Sequence, residues 1–429
     1  MKDLNFAEFS PTTYDDWKKS VQKELGEKSF DTIQWKNPNG FTVDPYFSES
    51  DVSVEVSKPA HWEIYQSVSG ANAKEANAIA LKCLEGGANA IGFDDQIQSK
   101  ADLEVLLNGI HIQFISVHFT HPANSVDLIK WLTEYAEAKG INTPELNVSV
   151  VTDDFNTPDK AGLTQAIKLF SEKWNGLDVL NVSADLIHEC GGYAKHELAF
   201  AIAMVQELMH HFTSADVAPA VVAQSIRFNF STGSSYFTEI AKYRAMRLLW
   251  RTILKEYEVD IPAKIHAQSS HFLQTTRDHY NNILRATTQT MSAIIGGADS
   301  VHTIPAYEKS GDQTETSLRI SRNIQHLLIE ESYLGQIGDV AAGSYYIEEL
   351  TRQLTNEAWS LFLDIEKKGG IIKAGAWFNE LVSAALAEQK KNVEEGSRIV
   401  VGVNKYQDKK EVIDSPLDEG TLTGFMEKI

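Results

Sequence analysis

The stretch "SIRFNFSTGSSYFTEIAKYRAMRLLWRTILKEYEVDIPAKIHAQSS", residues 225–270, decides the fold. It opens on a short β-rich run (225–232), turns through Gly-Ser into a long segment of helical period with cations toward its C-terminal end, and closes on a second short run, "KIHAQSS" (264–270). A strand, a helix and a strand in that order are the parallel βα unit. From about residue 71 the alternation repeats, with candidate strands at 88–95, 112–119, 146–153, 178–185, 225–232, 264–270, 299–305 and 343–349. Eight units in roughly 280 residues is the length of a (β/α)8 barrel, and an open doubly wound sheet of eight consecutive units is less usual. The fold class expected is α/β: a (β/α)8 TIM barrel with an extended N-terminal arm and a C-terminal helical segment and tail.

The barrel is placed at 71–370. Residues 1–70 pair a helix in "TYDDWKKSVQKEL" with the punctuated chain "WKNPNGFTVDPYF". An arm of that kind cannot build its own core, so it should lie on the barrel or on another subunit and serve subunit contact. Residues 371–429 hold further helical sequence, "RIVVGVNKY" and an acidic tail.

Lys plus Arg is 39 against 59 for Asp plus Glu, a formal charge of −20, which argues against a nucleic-acid or anionic-membrane partner. Only two cysteines, Cys83 and Cys190, are present, the N-terminus lacks a signal-peptide core, and no apolar run approaches the 18 or so residues of a membrane span. The expectation is a cytoplasmic, reduced protein with no membrane partner.

In a barrel of this kind chemistry sits at the C-terminal ends of the strands. The polar residues there are Asp94, Asp95, His118, Asp153, Asp154, Asp185, Asn229, Ser231, His266, Gln268 and His302. "NVSADLIHECGG" (181–192) lies one residue off the D-x-H-x-x-G loop through which cobalamin proteins offer a histidine to cobalt. A metal site needs converging ligands, but consecutive His188, Glu189 and Cys190 cannot all face one point, and the adjacent His210 and His211 splay apart on a helix. No metal is expected, and no nucleophile elbow, Walker loop or dinucleotide G-x-G-x-x-G is present.

The segment 265–303, "IHAQSSHFLQTTRDHYNNILRATTQTMSAIIGGADSVHT", carries Arg277, Tyr280, Asn281, Asn282 and Arg285 between His266, Gln268, Ser300 and His302, and Asn281 and Arg285 share a helix face. With "EIAKYRAMRLLW" (239–250), "TSLRISRNIQHLLIEES" (316–332), "AAGSYYIEELT" (341–351) and "VVGVNKY" (400–406), it resembles the acyl-CoA-binding barrel of methylmalonyl-CoA mutase and its relatives. The resemblance runs from the arm to about residue 406. It implies the substrate-side barrel of an adenosylcobalamin-dependent carbon-skeleton isomerase, in which acyl-CoA threads the barrel and radical chemistry occurs at its C-terminal face.

The resemblance also implies departures. Catalytic chains of the family read S-G-Y-H-M-Q-E-A-G where Asp185 and Leu186 replace the tyrosine and histidine, while Glu189 matches the family glutamate. Leucine cannot shuttle a proton, and a short carboxylate repels an anionic substrate. Catalytic R-P-W-T-I-R-Q-Y-A-G becomes "PAHWEIYQSVSG", with Tyr65 at the arginine and Ser67 at the substrate-side tyrosine. The arginine of R-L-S moves two positions to Arg227, a glutamine-serine pair becomes Asp299-Ser300, and His266 and Gln268 keep a substrate-contacting H-x-Q. The resemblance thus implies no catalytic residue: Ser67, Asp185 and Leu186 are erased positions, and His266, Gln268, Arg227, Ser300 and Glu189 are a vestigial acyl-CoA pocket. The expected function is the noncatalytic small subunit of a heterodimeric methylmalonyl-CoA mutase, binding no cofactor alone, with adenosylcobalamin on the large subunit. Two other readings are an active mutase barrel using cobalamin held on another polypeptide, and an acyl-CoA-binding regulatory module.

Overall fold

The computed structural model describes residues 12–47, 61–94, 97–120, 125–152, 160–171, 173–174, 177–272, 274–275, 280–306 and 314–407. Asp95, Asp153, Asp154, Arg277 and the tail beyond residue 407 therefore lie outside the described residues.

The arm contributes α1 (Tyr14–Leu25) and an antiparallel pair, β1 (Trp35–Lys36) and β2 (Thr42–Val43). Thr13 starts α1 by accepting from the Asp16 amide at 3.2 Å while the Asp16 carboxylate accepts from Thr13. Phe41 and Val43 are buried in the main core, and Asn39 Oδ1 accepts from the Lys195 amide at 2.8 Å. The described part of the arm thus packs on its own barrel.

Eight parallel strands close the barrel: β3 (Glu63–Val68), β4 (Ala90–Asp94), β5 (Ser116–Thr120), β6 (Asn147–Thr152), β7 (Leu177–Ser183), β8 (Ile226–Thr232), β9 (Ile265–Ser269) and β10 (Ser300–His302). β10 pairs with β3, so the ring has no edge. The expected barrel is found, with two corrections to its strands. The first is β3, inside the stretch read as arm, so the barrel begins before residue 71. Its "EIYQSV" hides as a strand because the inward positions are polar and the outward Gln66 is bonded by Arg322. The stretch 343–349 is no strand but the start of a helix, α12 (Tyr345–Lys367). Its aromatic and β-branched opening suggested a strand, whereas the buried series Ile347, Leu350, Leu354, Ala358, Phe362 and Ile365 keeps helical spacing over its whole length.

Outside the strands run α2 (Ala73–Glu85), α3 (Lys100–Leu106), α4 (Ser125–Lys139), α5 (Lys160–Ser171), a short α6 (Asp185–Glu189), α7 (Ala194–Ser214), α8 (Pro219–Ser225), α9 (Tyr236–Lys255), α10 (Tyr280–Gly296) and α11 (Glu315–Glu330). α13 (Ile371–Glu394) follows α12. The expected start of α2 at Asn72 is present, its side chain accepting from the Lys74 and Glu75 amides at 3.1 and 3.0 Å. Buried Phe93, Val117, Phe119, Phe228 and Phe230 fill the space between strands and helices. The other face is different, because alternate positions point at the barrel axis and on most strands these are polar, β4 with Ala90 and Gly92 being the exception. No described helix is long and apolar enough to cross a membrane.

Candidate functional site

A cavity of about 230 Å³ opens at the C-terminal ends of the strands, walled by Tyr65 and Ser67 from β3, Asn229 from β8, Gln268 from β9, and Asp185 and Leu186 from α6. Parallel register sets its layers: Ser300 stands beside both Glu63 and His266, and His302 beside both Tyr65 and Gln268. Arg227, His118, His266 and His302 also line it.

The lower layers fill the axis with side chains. Glu63 Oε1 accepts from Asn147 Nδ2 at 2.7 Å and from the Ser116 hydroxyl, while its Oε2 lies 3.7 Å from His118 Nε2. Arg227 Nη1 bonds the same imidazole at Nδ1, so Glu63, His118 and Arg227 form a column. Above it the Tyr65 ring packs among three imidazoles, with centroids 4.6 Å from His266 and 5.2 Å from both His118 and His302. Gly92 gives the Tyr65 hydroxyl its room, since a β-carbon there would overlap the oxygen. Burial, with Arg227 alongside, drives the His118 pKa down to about 4; burial takes His302 to about 3 and puts His266 well below its ordinary value. All three are neutral at pH 7 and offer no charge to an anion. Burial opposes the Glu63 charge, but His118, Arg227 and the Ser116 hydroxyl together outweigh it and keep the carboxyl below its usual value.

At the rim, Gln268 Nε2 donates to Ser231 Oγ at 3.2 Å and to Asp185 Oδ2 at 3.4 Å. Asp185 Oδ1 is buried without a partner, and burial together with neighbouring Glu189 raises this carboxyl to about 7. Leu186 beside it offers no polar atom.

Of the residues singled out from sequence, the fold gathers Ser67, Asp185, Leu186, Arg227, His266 and Gln268 around one cavity. Ser300 stands behind the wall, its hydroxyl 3.1 Å from His266 Nδ1. Glu189 is not on the wall either: it is buried and accepts from the His271 amide at 3.0 Å, tying α6 to the loop after β9. His188 and Cys190 diverge from it as consecutive positions must, and Cys190 is a buried free thiol. Arg285 meets Asn282, at 2.7 Å, where Asn281 shares its helix face in sequence. Sequence reasoning missed Tyr65 as an axial plug and Glu63 as the base of the column. It also missed a buried cluster behind the site, in which Lys242 Nζ reaches Glu197 at 2.9 Å, Glu239 at 2.6 Å and the Ser231 carbonyl at 2.6 Å. The signal was Lys242 three positions after Glu239, on a face of α9 that continues through Ala245, Met246 and Leu249.

Among the described residues no cluster of histidine, cysteine or carboxylate side chains could hold a metal ion.

A family profile described as methylmalonyl-CoA mutase matches residues 92–421. The methylmalonyl-CoA mutase small subunit of Porphyromonas gingivalis is 32% identical, the alignment covering 96% of this chain and 72% of that one. From Streptomyces virginiae, the small subunit is 25% identical (93% of this chain, 71% of that one) and the large subunit 27% identical (93% and 63%).

Proposed function

The chain belongs to the methylmalonyl-CoA mutase family, and from that premise we propose that it is the noncatalytic small subunit of a heterodimeric, adenosylcobalamin-dependent mutase of the cytoplasm. Its large subunit would carry the isomerisation of methylmalonyl-CoA and succinyl-CoA. The observation that carries this reading is the plug: Tyr65, seated against Gly92 and packed by three imidazoles, stands on the column of Arg227, His118 and Glu63. An acyl-CoA threading the barrel would have to displace all of these groups. The erased pair at the rim adds to it, since Asp185 and Leu186 cannot act together as acid and hydrogen-bond donor.

The residues at the mouth do not fit adenosylcobalamin. A cavity of about 230 Å³ has no room for a corrin, and its strand-borne imidazoles pack edge-on or tilted around Tyr65 below the rim. On this reading the cofactor belongs to the large subunit. The two named kinds of subunit among the relatives support such a partner. The interface should bury more than about 2,000 Å², as obligate interfaces do.

The test is a coupled succinyl-CoA assay on this chain, a large subunit and their mixture, with size-exclusion and light scattering. A 1:1 complex with activity needing the large subunit is expected. Turnover by this chain alone with added adenosylcobalamin overturns the proposal.

A further inference from the structure

A second cavity, about 480 Å³, lies outside the barrel between the arm, the loop after β8 and the chain after α13. Its walls include Asn37, Thr238 and Arg398. Asn37 is 4% exposed, and its orientation is fixed because Oδ1 accepts from the Asn39 amide at 2.9 Å. The other end of that side chain, Nδ2, is buried with no partner among the described residues. An unmet buried donor is unfavourable, so this amide beside a cavity is a position where an acceptor is favoured.

The neighbouring groups are donors too. Thr238 is 4% exposed, among the described residues no hydrogen bond reaches its hydroxyl, and it sits in the first turn of α9, a helix of 20 residues whose N-cap, Ser235, makes no side-chain capping bond. Free amides and the helix dipole thus face the same space. Half-buried Arg398 bonds only the neutral Gln389 amide oxygen among the described residues, leaving its charge uncompensated. Glu239 also borders the cavity, 2.6 Å from Lys242, an ammonium it shares with Glu197.

We propose that this cavity binds a small phosphate-bearing molecule through Asn37, Thr238, Arg398 and the N-terminus of α9. A phosphate offers the several acceptor oxygens that this set of donors requires, and the arginine fork suits it. The volume is in the range of small-molecule sites and exceeds what a bare ion fills, so an organic group is accommodated beside Trp35 and Tyr193. The site is independent of the erased barrel pocket and of the mutase reading.

The test is isothermal titration calorimetry of the full chain with inorganic phosphate, ribose 5-phosphate and citrate. Saturable binding of inorganic phosphate at about millimolar concentration is expected, with ribose 5-phosphate at least about tenfold tighter and citrate weaker than either. Thr238→Val, nearly isosteric, and Arg398→Gln should each weaken phosphate binding about fivefold or more, with Lys391→Gln on the exposed surface unchanged. Thermal midpoints would be measured alongside, and should Arg398→Gln not fold, Thr238→Val alone decides. No saturable binding by either phosphate probe, citrate binding tighter than both, or equal affinity in wild type and Thr238→Val each overturns the proposal.

Discussion

The hydroxyl of Tyr65 occupies the space that a β-carbon on residue 92 would claim, so Gly92 is what lets an aromatic side chain close the axis of this barrel. Gly92 has no left-handed backbone requirement, and the demand for glycine comes from the tyrosine alone. Gly92→Ala should therefore destabilise the wild-type chain by about 2–3 kcal/mol, an overpacking cost. The same change in a Tyr65→Ser background should cost less than about 1 kcal/mol. Urea unfolding of the four chains of this double-mutant cycle measures the coupling, and additive effects would show that Tyr65 does not fill that space.

The rim carboxylate gives a pH signature. Asp185 is raised from an ordinary 3.8 to about 7, chiefly by burial, so the folded chain holds its proton where the unfolded chain has lost it. The folded state thus binds more protons between about pH 4 and 7, and stability from this group falls as pH rises through that window. Asp185→Asn removes the penalty. The variant should gain about 4 kcal/mol over wild type at pH 8 and less than about 1 kcal/mol at pH 4. Denaturation midpoints of the pair across pH 4–8 check this; a constant difference would mean an unperturbed carboxyl.

Much of the barrel was legible because strand and helix alternate in hydrophobic period, as at 225–270, and because caps such as Asn72 announce their helices. The two strand errors share a cause. β3 is polar toward the axis and was hidden, while "GSYYIEE" has the composition of a strand but belongs to a helix whose later apolar spacing reveals it. At the site, sequence located the residues of strands and α6 that face the cavity, since the ends of barrel strands converge by construction. It could not show that Tyr65 fills the axis: that depends on Gly92, 27 positions away in sequence but one strand away in the sheet, as the pairing of Gly92 with Ser67 records. Nor could it show that Glu189 serves the scaffold, which follows from its bond to His271.

Behind the site, Lys242 is fully buried between Glu197 and Glu239, and the paired carboxylates hold its pKa above the ordinary value against burial. Lys242→Met would leave two buried carboxylates uncompensated and should cost about 3–5 kcal/mol. Adding Glu197→Gln and Glu239→Gln should recover most of that loss. Chemical denaturation of the single and triple variants measures it. A single variant as stable as wild type would mean that the pair is not buried as a unit.

Restoring the family pair at the rim should not restore chemistry. Asp185→Tyr with Leu186→His returns the two side chains that catalytic chains carry, but it leaves Tyr65 on the axis and the Arg227, His118 and Glu63 column beneath it. Groups that act as a unit in catalysis are strongly non-additive, so two of them without an open path for acyl-CoA give nothing measurable. The double variant, purified alone and supplied with adenosylcobalamin and methylmalonyl-CoA, should form no succinyl-CoA and should show no acyl-CoA binding by calorimetry. Opening the axis as well, with Tyr65→Ser, tests the order of the two blocks. If the plug is the first obstacle, the triple variant gains acyl-CoA binding while still producing no succinyl-CoA. Acyl-CoA binding by the double variant with Tyr65 in place would show that the plug yields to the ligand, and would remove the observation on which the noncatalytic reading rests.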